Sequence, residues 1–227
     1  MSIRAVIFDR DGVLTYFDIE GAIDFFTPIL PLSMQELAER WQKWGQQVGF
    51  PCTVEEEKSF FKGLWDNLSD EFALSDTKRR LLHDFDYTSL IRPYPDAKAM
   101  LVKAKEQNLL VGVLSNFSLA SLEHSLSAAG LADWVDIAYS STMIGAVKPD
   151  PNAYLTITNA LSVAPEECLF FDDERPCFEG GQAVGMNAYF VDRTRSQHLI
   201  PDNVVSDLSA LPAILKEYQV PVMTTLN

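Results

Sequence analysis

The chain has 227 residues, 47% hydrophobic and 22% charged, a balance that suits a globular protein of one large domain or one domain carrying an insertion. Its formal net charge of −14 argues against general nucleic-acid binding, which needs a basic surface, while a local cation or lysine still leaves room for an anionic small substrate. No apolar run approaches the roughly 18–20 residues of a membrane span, no signal-peptide core is visible, and Cys52, Cys168 and Cys177, without close metal-type spacing, suit free thiols in a reducing cytoplasm.

The chain opens on Ile3–Thr15, an apolar run that ends in two aspartates and a glycine. Ala5–Phe8 reads as a buried strand. Strand side chains alternate faces, so Asp9 and Asp11 point the same way, roughly 6–7 Å apart, at the strand's carboxyl end. That is where an open α/β sheet binds its ligands. Gly12 lets the backbone turn or approach a ligand closely. Two adjacent like charges are costly without a positive neighbour, and a hard divalent cation with oxygen ligands fits that role. Taken alone, the two acids read equally well as turn caps.

From Tyr16 to Arg92 the periodicity is helical, with many aromatics and no convincing strand. Ser33–Gln47 begins with a Ser33…Glu36 capping box, Thr53–Leu68 with Thr53…Glu56, and Leu74–Phe85 is a weaker helix. Phe60, Phe61, Leu64, Trp65 and Leu68 form one stripe. The stretch is too long for a loop and too helical to join a sheet, so residues 16–92 are expected to form a helical cap domain. Most of its aromatics belong in its own core, with Trp41, Trp44, Phe60 and Trp65 as candidates to line a pocket. Arg92–Asp96 is a proline-stiffened return linker, and Asp96 is expected to cap a helix at Ala97–Gln107.

Strand and helix then alternate. Strands are expected at Leu109–Leu114, Val135–Tyr139, Cys168–Phe171 and Ala188–Val191. Helices are expected at Leu119–Ala129, Pro151–Leu161, Phe178–Val184 and Asp207–Glu217. This rhythm implies an α/β fold, a doubly wound parallel sheet built from residues 1–15 and 93–227.

Polar residues follow the strands: Asp9 and Asp11, then Ser115 and Asn116, then Lys148 in Lys148-Pro-Asp-Pro, then Asp172 and Asp173. Singly, each reads as a turn, a cap or a solvated side chain. Jointly they suit phosphoryl transfer. A carboxylate, Asp9, is a competent nucleophile at phosphorus. Mg²⁺ takes carboxylate and phosphate oxygens. Lys148 adds a point charge and Ser115 a hydrogen bond to phosphate, with Asn116 beside it in the substrate-binding set. Asp11 is placed to protonate the leaving oxygen and later activate water. Cys177 reads as a buried thiol rather than a nucleophile, because no histidine is near in sequence.

The stretches I-F-D9-R-D11-G-V-L-T, V-L-S115-N, V-K148-P-D-P and L-F-F-D172-D173, in that order, resemble the haloacid dehalogenase superfamily of hydrolases. The helical stretch sits where that family places its first type of cap. The resemblance implies Asp9 as nucleophile and Asp11 as acid/base that also gives its backbone carbonyl to Mg²⁺. Ser115 and Lys148 would bind phosphate, Lys148 would orient Asp9, and Asp173 would be a metal ligand, with Asp172 a second or outer one. The metal set is thus Asp9, Asp11, Asp172 and Asp173. Arg10 is expected to point away from the nucleophile. The likeness is strongest to sugar-phosphate phosphatases and the phosphatase domain of soluble epoxide hydrolases. The implied function is a cytoplasmic Mg²⁺-dependent phosphatase of small phosphorylated metabolites, with no nucleic-acid or membrane partner. The alternatives are a β-phosphoglucomutase-like mutase, a 2-haloacid dehalogenase, which lacks the second aspartate, and a non-enzymatic binding protein on the same fold.

Overall fold

A computed structural model describes residues 2–218. Its centre is β1 (Ala5–Phe8), hydrogen-bonded in parallel to β4 (Leu110–Ser115) on one side and β6 (Cys168–Asp172) on the other. Strands β5 (Ile137–Ser140), β7 (Asn187–Val191) and β8 (Val204–Val205) complete a six-stranded parallel sheet in the order β5-β4-β1-β6-β7-β8. Both of its faces are covered. Val6, Phe8, Leu169 and Phe171 pack on one side with α5 (Ala97–Glu106), α6 (Leu122–Ala128) and α10 (Leu211–Tyr218). Ala5, Ile7, Cys168 and Phe170 pack on the other with α8 (Pro151–Leu161) and α9 (Arg175–Ala183). A single turn, α7 (Ser141–Ile144), comes after β5. All four residues of β1 are fully buried, and each large side chain among them contributes roughly 1.5–3 kcal/mol. The strand is therefore a rigid base for the loop at its carboxyl end.

The helices α1 (Ile19–Phe26), α2 (Met34–Val48), α3 (Val54–Glu71) and α4 (Asp76–His83) enclose a hydrophobic cluster of their own, with Phe26, Leu64, Trp65 and Leu68 at its heart. The capping box of Ser33 and Glu36 is present in both directions, and Thr53 caps α3 through the amide of Glu56. No helix of the described residues is long and apolar enough to cross a membrane.

Several local expectations need correction. First, strand structure does occur between Tyr16 and Arg92. β2 (Thr15–Phe17) and β3 (Ile91–Pro93) pair antiparallel as a two-stranded ribbon that leads into and out of the helical segment. Three-residue strands show no readable alternation, and Pro93 argues against one locally. Secondly, Asp96 makes no capping bond to α5; its carboxylate instead accepts from Arg193 and from the amide of Leu208. Thirdly, α6 starts at Leu122 rather than Leu119, because the amides of Ala120 and Ser121 are taken by the carboxylate of Glu57 on α3. Finally, the helix after β6 starts earlier than Phe178, at Arg175, where Pro176 fits the first turn.

Candidate active site

The register of the sheet decides what meets at its carboxyl edge. Phe8 stands level with Phe171 of β6 and Val113 of β4, so Asp9, Asp172 and Ser115 emerge within a residue or two of one another. Lys148, in the loop before α8, reaches in between them. Its ammonium lies 2.6 Å from Asp172 Oδ2 and 3.0 Å from Asp9 Oδ1. The second contact is a charge contact without hydrogen-bond alignment, which leaves the buried Asp9 Oδ1 without a donor. Asp9, Lys148 and Asp172 are all buried.

The charges do not balance. Carboxylate oxygens of Asp9, Asp172 and Asp173 come within 4.8 Å of one another, against one ammonium. Burial pushes the Asp9 carboxyl above the usual carboxylate range in spite of Lys148. Burial, with the Asp9 charge added, pushes Asp172 up to about 7, and burial with the Asp9 charge pushes Asp173 up to about 6. Burial pulls the Lys148 ammonium down, but the Asp9 and Asp172 charges outweigh it and hold its pKa above the ordinary lysine value. A cluster of hard oxygen donors, one of them orphaned and all short of positive charge, is a donor set that a divalent cation fits.

The turn after β1 is tight: the amides of Leu14 and Thr15 both donate to Arg10 O, and that of Gly12 to Thr15 O. Gly12 has φ +75°, and a Cβ there would lie 1.9 Å from Asp173 Oδ2. Only glycine lets the Asp173 carboxylate sit against this backbone. Arg193 straps the same turn from outside, its guanidinium donating to Gly12 O and Val13 O while paired with Asp96 and stacked 3.6 Å over the Tyr94 ring.

Asp11 stands apart from the three other acids. Its carboxylate is half-exposed and paired with Arg10. Arg10 does point away from Asp9: it is buried, lies 3.8 Å over the Phe117 ring and donates to Ser125 Oγ. Asn116 is a clasp. Its amide donates to Lys148 O at 2.9 Å and its carbonyl accepts from Lys148 N at 2.7 Å, which fixes the lysine's backbone and commits the Asn116 side chain. Ser115 is buried at the end of β4. Asp9, Asp11, Ser115, Asn116, Lys148 and Asp173 together line a cavity of about 310 Å³, with Trp41 of α2 reaching over it.

Of the aromatic candidates, Phe60 and Trp65 are buried, and Trp44 donates its indole N–H to Phe60 O; Trp41 alone of the four lines this cavity. Cys177 is a buried thiol whose S–H donates to Glu174. Two participants escape the sequence reading. Arg193 gives no local signal. Glu57 does give one: it stands one turn ahead of Phe60 and Phe61 and two ahead of Leu64, a charge on the stripe that goes inward.

Residues 3–185 match the family described as haloacid dehalogenase-like hydrolases. The chain belongs to that family. As a haloacid dehalogenase-like hydrolase it is an enzyme that cleaves by hydrolysis, on the family's parallel-sheet core. It is 43% identical over 216 residues to Phosphatase MT3486 of Mycobacterium tuberculosis, covering 95% of this chain and 98% of that one. It is 25% identical over 228 residues to (S)-2-haloacid dehalogenase 2 of a Pseudomonas species, covering 94% and 96%. Among solved structures, the L-2-haloacid dehalogenase of Xanthobacter autotrophicus superposes with a TM-score of 0.64 at 21% identity over 96% of this chain and 100% of that one, a likeness of fold.

Proposed function

We propose that this hydrolase is a Mg²⁺-dependent phosphatase of small phosphomonoesters that works through an aspartyl-phosphate on Asp9. The observation that carries the reading is the acidic trio around a single buried lysine, with a further aspartate, Asp11, at the mouth of the same cavity. A carbon-centred dehalogenation has no use for that excess of carboxylates, whereas phosphoryl transfer on a cation does. The 43% identical relative bears the name phosphatase.

In this reading Asp9, Asp173, Asp172 and the backbone carbonyl of Asp11 would hold the cation. Bound there, Mg²⁺ would neutralise the trio and stabilise charge on the transferring oxygens. The Asp9 carboxylate attacks phosphorus while the bond from phosphorus to the ester oxygen breaks. Lys148 orients Asp9, and the Lys148 ammonium and Ser115 hydroxyl hold phosphoryl oxygens. Asn116 acts by clasping the Lys148 backbone. Asp11 gives its proton to the departing alkoxide, then takes one from the water that attacks the acyl phosphate, releasing inorganic phosphate and restoring Asp9. Residues 16–92 serve as a cap over a core drawn from the described part of residues 1–15 and 93–227, which excludes bulk water during turnover.

The test is phosphate release from small phosphomonoesters with Mg²⁺ and with EDTA, in the parent chain and in Asp9→Asn. Turnover that needs the cation and falls at least a thousandfold in the variant is expected. Cation-independent halide release from 2-haloacids would overturn the reading. Net conversion of β-glucose 1-phosphate to glucose 6-phosphate would replace hydrolysis by mutase turnover.

A further inference from the structure

Beside the acidic cavity lies a second one, of about 320 Å³. The two share Asp11, Trp41 and Phe117 as walls, so whatever leaves phosphorus past Asp11 faces directly into it. The second cavity is walled by rings and hydrocarbon from both layers of the molecule, with Leu37, Phe61 and Leu64 among them. Trp41, Phe61 and Phe117 are each only half-buried, with the Tyr87 ring packed against both phenylalanines, and the cavity lies open beside them.

We propose that this cavity receives the leaving group of the phosphomonoester, and that this group is apolar and ring-bearing, an aryl or arylalkyl alcohol rather than the polyhydroxyl body of a sugar. The inference rests on the phosphatase reading above. What decides it is the state of the polar atoms in the wall. Arg10 is engaged with Asp11 and with Ser125 Oγ at 3.0 Å. Tyr87 Oη is engaged with Ser121 Oγ at 2.6 Å. Asp11 is half-exposed and its carboxylate already accepts from Arg10, and the indole N–H groups of Trp41 and Trp65 are the lining side-chain donors that make no hydrogen bond. A sugar would bring several hydroxyls into this space and leave most of them without partners, whereas a ring loses only its contact with water. Burying one six-membered ring here should raise kcat/KM on the order of 10- to 100-fold.

The experiment compares 2-phenylethyl phosphate with glycerol 1-phosphate, using the full chain with Mg²⁺. The glycerol alkoxide is the less basic leaving group, so intrinsic reactivity favours the glycerol ester and cannot itself produce the expected ratio. The ratio of kcat/KM should be at least tenfold in favour of the phenylethyl ester. Ala38→Glu places a charge at the cavity rim, on the exposed side of α2, and should lower that ratio at least fivefold with an unchanged circular dichroism spectrum. A ratio near or below one, or one that Ala38→Glu leaves unmoved, overturns the proposal. Hydrolysis of glucose 6-phosphate with neither of these esters turned over does the same while leaving the phosphatase reading intact. If none of the three releases phosphate, the phosphatase reading itself fails, and this inference with it.

Discussion

Glu57 is the sharpest place to test how the helical segment is held to the sheet. It is a buried carboxylate on α3. Its Oε2 accepts the amides of Ala120 and Ser121, both at 3.0 Å, and its Oε1 accepts Ser121 Oγ. The two residues that lead into α6 thus have their amide acceptor supplied by another element. Glu57→Ala strands two backbone donors and a hydroxyl. Each hydrogen bond to a charged group is worth roughly 1.5–3 kcal/mol net, but water reaches these groups once the contact opens, so the sum falls to about 2–4 kcal/mol. For a chain of this size that is a drop in Tm of roughly 5–15 °C. Glu57→Gln keeps an oxygen for the two amides and turns an NH₂ toward Ser121 Oγ, and should cost about 1 kcal/mol. Calorimetry gives the first number. Hydrogen exchange gives the second readout: the Ala120 and Ser121 amides should lose at least tenfold in protection in the alanine variant. Melting within 1 °C of the parent with those amides still protected would refute the reasoning.

Gly12→Ala is expected to lose at least a hundredfold in activity, because its Cβ claims the space of Asp173 Oδ2. The positive φ alone costs about 1–2 kcal/mol of stability, readable by denaturant titration, and titration calorimetry with Mg²⁺ should show weakened binding. Lys148→Met leaves Asp9 and Asp172 buried without their cation, a loss of roughly 3–5 kcal/mol at pH 8 in EDTA. Burial already holds both carboxyls above their unfolded pKa, so between about pH 4 and 7 the native state binds more protons and stability falls as pH rises. The deficit of the variant should therefore shrink toward pH 5. A deficit equal at pH 5 and pH 8 would contradict it.

How far the sequence could be read depends on where each signal resides. β1 and β6 were legible because burial on both faces writes itself as an unbroken apolar run ending in acids. The capped helices α2 and α3 were legible because their caps are local. The ribbon of β2 and β3 was not: its two short strands are far apart in sequence and pair only through the fold. Asp96 shows the limit of local rules, since a tertiary partner, Arg193, out-competes the nearby amides for its carboxylate. Asn116 lines the candidate cavity, yet no sequence pattern tells a side chain that faces a substrate from one that clasps the backbone of Lys148.

Arg193 has a consequence for how such chains are trimmed and compared. The match to the family spans residues 3–185 and already contains every carboxylate of the candidate site. Yet the carbonyls of Gly12 and Val13 are gripped by a guanidinium that lies eight positions further along. A fragment cut where that match stops would possess all the candidate reactive groups and lack the external brace on the turn that follows Asp9 and Asp11. The geometry of the candidate site thus depends on a residue beyond the stretch that matches the family.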